Sequence, residues 1–174
     1  MGTISFKRTN TDEAVGTYTD VLTADYEANT NYDVTVAKGD FEIKTATIEG
    51  AKLEAAGGSW TYNGSARSAA AEVKGATGYT IYYKTGDGGW STNVPSVTNV
   101  ADGVKTVSVK ATRTGYTDLV TKDVTIQITP KDAEIKVTGS WKYFDDPDPA
   151  FSGTVTGLVA TNDLGTISYR RTNA

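Results

Sequence analysis

The sequence predicts an all-β fold, built from small antiparallel modules in tandem that are β-sandwich-like or β-grasp-like. Three observations point to it. Short stretches alternate apolar and polar residues with a period of two, the mark of a strand with one buried face. Thr, Val, Tyr and Ile are abundant and Leu is scarce, a bias that suits a pleated, half-buried surface, and 18 Gly punctuate the stretches. The chain also repeats itself. Gly2-Thr3-Ile4-Ser5-Phe6-Lys7-Arg8-Thr9-Asn10 returns as Gly165-Thr166-Ile167-Ser168-Tyr169-Arg170-Arg171-Thr172-Asn173, identical at seven of nine positions with an offset of 163 residues (165 − 2). Repeats of this kind decide the architecture before local pattern does.

Taken in order, Ile4 and Phe6 alternate with Thr3, Ser5 and Lys7, so 3–9 is expected to be a strand with those two residues buried. Thr11-Asp12-Glu13-Ala14 is a polar connection. From Gly16 a longer run keeps Tyr18, Leu22, Ala24 and Tyr26 in one parity. Asn29-Thr30-Asn31 signals a turn. Tyr32, Val34 and Val36, the turn Lys38-Gly39-Asp40, then Phe41 and Ile43 read as a hairpin of 32–38 with 41–45. A second set starts near Thr47. Trp60 and Tyr62 precede the turn Asn63-Gly64, and Ala69-Ala70-Ala71 lies between glycines in a stretch too short for a free-standing helix. Tyr79, Ile81 and Tyr83 alternate with Thr80, Tyr82 and Lys84. Gly86-Asp87-Gly88-Gly89 is a loop. Val107, Val109 and Ala111 form one apolar face, Gly115-Tyr116 a corner, and Val124, Ile126 and Ile128 another apolar face that Pro130 ends. Ile135 and Val137 open the last set. In all, about nine strands at short spacing are expected.

Fainter echoes set the module size. Gly139-Ser140-Trp141-Lys142-Tyr143 repeats Gly58-Ser59-Trp60-Thr61-Tyr62 at an offset of 81 (141 − 60), and Asp123-Val124-Thr125-Ile126 repeats Asp40-Phe41-Glu42-Ile43 at 83 (123 − 40). Two diverged modules of roughly 80 residues therefore alternate, at the small end of independently stable domains. Residues 1–46 read as the back half of one module, 47–130 as a whole central module, and 131–174 as a front half. Neither half is expected to bury enough apolar surface to fold alone. The expected consequence is homo-association, with 131–174 of one chain pairing with 11–46 of another to cover strand edges that a half-module leaves open.

Composition narrows the chemistry. The chain of 174 residues has no Cys and no His, so Cys nucleophiles, His general bases and the usual zinc ligands are absent. No Ser has a base beside it and no Ser-x-x-Lys occurs, so nucleophilic catalysis is not expected. Nothing in the pattern selects a carboxylate pair of the glycosidase type. The net charge is −4 and the pI about 4.8, without a basic cluster, so nucleic acid is not an expected partner. No apolar run approaches the ~18 residues of a membrane span, so membrane insertion is not expected. Met1 precedes a strand-like segment instead of a basic and apolar leader, and is expected to be an added start.

Lys142-Tyr143-Phe144-Asp145-Asp146-Pro147-Asp148-Pro149-Ala150-Phe151, followed by Val155-Thr156-Gly157-Leu158 and Gly165-Thr166-Ile167-Ser168-Tyr169, resembles the MBG-type repeats of bacterial cell-surface adhesins that carry a Tyr-Gly-Asp-x-Asp-Pro core. Phe144 stands where that core usually has Gly. Val15-Gly16-Thr17-Tyr18 and Asn31-Tyr32-Asp33-Val34 resemble the family's back half. Trp60-Thr61-Tyr62-Asn63-Gly64 and Gly103-Val104-Lys105-Thr106-Val107 resemble a second MBG or Ig-like type. The resemblance implies non-catalytic stalk modules of large secreted or wall-attached proteins, located outside the cell or on its surface. Some such repeats are linked with mucin or glycan adhesion.

Four constellations could carry chemistry. Asp145, Asp146 and Asp148 could offer hard oxygens to Ca²⁺, but two prolines break the run and no bidentate Glu completes six to eight ligands, so a rigid Asp-capped loop is expected and no metal or other cofactor. Trp60 and Trp141 hold equivalent repeat positions and are expected in a shared core. Trp90 follows Gly88-Gly89 with no echo elsewhere. With Tyr82 and Tyr83 it is the candidate carbohydrate contact, against the plainer reading of a Trp packed on its own sheet. Lys110, Lys136 and Asn99 could serve autocatalytic cross-links, yet no pattern singles them out. The expectation is a structural spacer, with a carbohydrate- or mucin-binding module as the alternative.

Overall fold

A computed structural model describes residues 3–173; Gly2 of the repeated nonapeptide and the start Met1 lie outside the described residues. The fold is all-β, with fourteen strands in several small, mostly antiparallel sheets, one short 3-10 turn at Val100–Asp102 and no α-helix among the described residues. β1 (Ser5–Arg8), β2 (Gly16–Asp25) and β3 (Gly39–Ile43) make a three-stranded sheet in that order. β4 (Lys52–Ala56) pairs with β7 (Ala70–Lys74), and β6 (Arg67–Ser68) with β9 (Ser96–Val97). The largest sheet runs β11 (Leu119–Val120), β10 (Lys105–Thr112), β12 (Val124–Thr129), β5 (Gly58–Thr61), and β8 (Thr80–Thr85) also pairs with β10. β13 (Glu134–Val137) and β14 (Gly153–Thr156) form a separate antiparallel pair.

The strands divide between two compact units. One holds the residues up to Leu53 with Val73–Ile81 and Lys110–Val120; the other holds Glu54–Glu72, Tyr82–Val109 and Thr121 onward. In the first unit, β1 and β2 face each other antiparallel from Ser5↔Asp25 to Arg8↔Leu22, and the Lys7 ammonium lies 2.6 Å from Asp25 on the exposed surface. β2 and β3 pair at Gly16↔Ile43 and again at Leu22↔Gly39, with an irregularity between. There Asp20 takes φ +55°, a left-handed conformation that Asp tolerates, and its N–H donates to Asp40 Oδ1 at 2.9 Å. Ala46 bridges Tyr116 in parallel through Ala46 N–H to Gly115 O and Thr117 N–H to Ala46 O, both 2.9 Å. The corner expected at Gly115-Tyr116 is present: Gly115 has φ +80° and Tyr116 N–H closes a turn on Arg113 O.

In the second unit β5 runs parallel to β12, with Ile126↔Gly58 and Ile128↔Trp60 opposed. This pairing needs Gly57: a Cβ there would sit 2.0 Å from Thr125 O. The β6–β9 pair packs on β12 and completes a sandwich-like core. The alternation read at β10 and β12 is what builds it, since Val107, Val109, Ile126 and Ile128 are buried, as is Ala111 in the first unit. Every buried residue among those described lies between Leu53 and Ile128.

Several expectations are corrected. The hairpin of 32–38 with 41–45 does not form: Tyr32 and Val34 lie outside strands and β3 pairs with β2 instead. Asn29 starts a turn, with Tyr32 N–H on its carbonyl, that carries 32–38 off the sheet. The strands at 5–8 and 134–137 exist, but the faces expected to be buried are open, with Phe6 84% exposed and Ile135 and Val137 also exposed. Trp141 is not a core residue: it is 76% exposed, whereas Trp60, paired on β12, is half-buried. The same Gly-Ser-Trp sequence is a strand where a partner strand lies beside it and is none at 139–141, where no partner strand does among the described residues. Backbone pairing settles the outcome, because an extended segment without a ladder leaves its polar groups to water.

Candidate functional site

The predicted carbohydrate contacts fall on and beside β8. Tyr83 bridges Ser91 antiparallel, Tyr83 N–H to Ser91 O at 2.7 Å and Ser91 N–H to Tyr83 O at 3.0 Å, which brings the Gly86–Gly89 loop back along the strand. Successive residues of a strand point to opposite faces. Tyr83 therefore points inward and is 7% exposed, and burial raises its phenol pKa above the usual value. Tyr82 and Lys84 take the opposite, half-buried face. Trp90, one residue before Ser91, joins that outer face: its ring is 5.6 Å from the Lys84 ammonium, a cation–π distance, and the residue is 40% exposed. The structure thus gathers Tyr82 and Trp90 on one surface, adds Lys84 to them, and places Tyr83 in the core. The parity of 79–84 already put Tyr82 and Lys84 on one face; only the return of the loop shows that Trp90 joins them.

The acidic run forms a turn with basic partners. Asp146 N–H donates to Tyr143 O at 3.3 Å, and the left-handed residue is Asp145, φ +65°. Phe144 stays outside the left-handed region and is exposed to solvent, and the left-handed position of the turn falls on an Asp, which tolerates it. Asp148 is held by Lys142 at 3.1 Å and Arg171 at 3.5 Å, and Lys142 also donates to Asp146 O at 2.6 Å. Two cations on one carboxylate are a structural clamp for the loop. No group of three or more acidic or other metal-ligating side chains gathers among the described residues.

Asp102 makes a second small constellation. Its Oδ2 accepts the Thr98 N–H at 2.6 Å and the Asn99 N–H at 2.9 Å. Those hydrogen bonds, Asn99's first, hold its carboxyl below the usual range, and nearby Lys105 adds to the effect. Asn99, named as a cross-link candidate, contributes its backbone to this cap. Lys136 lies in exposed β13 and Lys110 in β10.

An apolar concavity lies in the first unit. Ile4, Phe6, Leu22, Ala24, Tyr26 and Val34 line an open apolar groove of about 800 Å³ along β1 and β2. Phe6 and Ala24 are directly opposed, which puts both on the groove face. No sequence signal marked this groove, because the pattern predicted these residues to be covered.

No protein-family model matches the chain. Comparison with curated proteins and with solved structures finds no match either. No helix among the described residues is long and apolar enough to cross a membrane.

Proposed function

We propose that the chain is a non-catalytic structural repeat, a spacer in the stalk of a bacterial cell-surface or secreted adhesin-like protein of the MBG type. The observation that carries this reading is the recurrence of one strand-pairing pattern. The pair β4–β7 recurs as β13–β14, and the sheet order β8–β10–β12 recurs as β1–β2–β3, where β3 echoes β12 and β1 echoes β8 in sequence. Repeated units that bury surface mainly against themselves and their neighbours give a length that scales with copy number, which is what a spacer supplies. Location outside the cell belongs to the same proposal.

Pulling the chain by its ends in a single-molecule force experiment tests the mechanical role. The 47–130 segment is expected to resist as one cooperative event and to release about 290 Å of contour length, at ~3.4 Å per residue. Extension without a discrete event would contradict the spacer reading.

The alternative, a carbohydrate- or mucin-binding module, is favoured by the Tyr82, Lys84 and Trp90 surface. Against it, the Lys84 ammonium sits over the Trp90 ring, the face a sugar would stack on. A glycan array with wild type and Trp90→Ala separates the two. Binding that is lost in Trp90→Ala supports the module; no binding to any glycan by either protein supports the spacer.

A further inference from the structure

The central strands show what a finished copy of the repeated pattern looks like. β8 contains Thr80-Ile81-Tyr82-Tyr83-Lys84 and β1 lies in Thr3-Ile4-Ser5-Phe6-Lys7, so Tyr83 corresponds to Phe6. β10 pairs antiparallel with β12 at Lys105↔Ile126 and Val107↔Val124, as β2 does with β3 at Gly16↔Ile43 and Tyr18↔Phe41. In the centre, β5 then adds to β12 in parallel, and Tyr83 is buried. Around β1–β3 no further strand adds to β3 among the described residues, and Phe6 is open.

The missing elements are present elsewhere in the same chain. Ser140-Trp141 is the counterpart of Ser59-Trp60 in β5, and β13–β14 is the counterpart of β4–β7. They show the complementary deficit: Trp141 is open and 139–142 has no partner strand among the described residues. The second nonapeptide supplies an independent observation. Its Ile167 and Tyr169 are half-buried, and the Tyr169 ring lies so close to β14 that a Cβ on Gly153 would be 2.6 Å from it. What covers this nonapeptide at one end is therefore visible, and the same cover is lacking over Ile4 and Phe6 at the other.

We propose that copies of this chain associate head to tail, the 131–164 segment of one completing the β1–β2–β3 sheet of the next. The occupant of the apolar groove is thus a second copy. The register follows from the centre: with β5 carried to 139–142 and β12 to 41–46 by the offsets of 81 and 83, Gly139 lies beside Ile43, Ser140 beside Lys44 and Trp141 beside Thr45. The 166–170 segment makes no strand pairing among the described residues of the single chain, so it yields its place to β1, which arrives with two further strands. Because the two surfaces differ, the interface is heterologous, and it propagates unless a ring closes.

The chain has no cysteine, which makes cross-linking free of background. In the central copy Gln127 Nε2 donates to Ser59 Oγ at 3.0 Å, so the corresponding side chains at 44 and 140 share a face. Adjacent strands lie about 4.8 Å apart, within the Cα range that a disulfide spans. Lys44→Cys and Ser140→Cys proteins, mixed in equal amounts and mildly oxidised, are expected to form a disulfide-linked dimer at least tenfold faster than either does alone. Phe6→Asp added to the Lys44→Cys copy is expected to slow the reaction at least tenfold; circular dichroism unchanged from its parent shows that the copy is still folded. Equal rates in mixed and unmixed samples, no mixed dimer, or indifference to Phe6→Asp in a folded copy would each overturn the proposal.

Discussion

Ile126 and Phe6 are both large apolar residues on alternating strands, yet Ile126 is fully buried and Phe6 is open. Their substitutions separate core from uncovered face. Ile126→Ala is expected to cost about 2–4 kcal/mol in urea unfolding, the transfer loss plus the cavity left in a packed site. Phe6→Ala is expected to cost less than about 0.5 kcal/mol under dilute conditions, because little is buried there to lose. Asp102 offers a pH handle. Its folded-state pKa is lowered, so its stabilising effect is present above the ordinary aspartate pKa and disappears as pH falls through the depressed folded value. Asp102→Asn is therefore expected to lower the thermal midpoint at neutral pH, with the gap to wild type closing on acidification; a pH-independent gap would contradict the assignment. Parity along β10 and β12 was legible residue by residue, because a buried strand face leaves a period of two. Trp141 was not, because a repeat position fixes the side chain a residue offers and leaves open whether anything covers it.

Glycine 57 matters at the scale of the element. A methyl there meets Thr125 O at 2.0 Å, so Gly57→Ala is expected to pry β5 from β12, destabilise by at least about 2 kcal/mol, and shift the fluorescence of half-buried Trp60. Unchanged stability would mean that the parallel pairing is dispensable. The four longest strands, β2, β8, β10 and β12, were legible; β4 and β7 were not, and β6, β9 and β11 have two residues each, too few to show alternation. The β2–β3 pairing was misread because 32–36 also alternates, and short-range pattern favours the nearest partner. The β5–β12 pairing carries no local signal, since its strands are more than sixty residues apart in sequence. For the candidate site, Trp90 was legible as an unrepeated loop residue, while its companion Lys84 appears only once the Tyr83–Ser91 bridge folds the loop back.

On the scale of the whole molecule, the proposed organisation of the chain is one finished copy of a β pattern flanked by two unfinished and complementary parts. All of the buried core among the described residues belongs to the finished copy. If the unfinished parts complete each other between chains, weakening the resident cover should help the exchange. Tyr169→Ser is expected to raise the weight-average mass at a given concentration in sedimentation, and a lowered mass would argue that 166–170 takes part in the contact itself. The most direct check on the account is hydrogen exchange resolved by residue, at low micromolar concentration where chains are apart. Stability is distributed unevenly when packing is. The account expects the amides of Val107, Val109 and Ile126 to exchange only on global unfolding, and those of β2 and β13 to exchange orders of magnitude faster. Equal, strong protection from β1 through β14 in the isolated chain would contradict it.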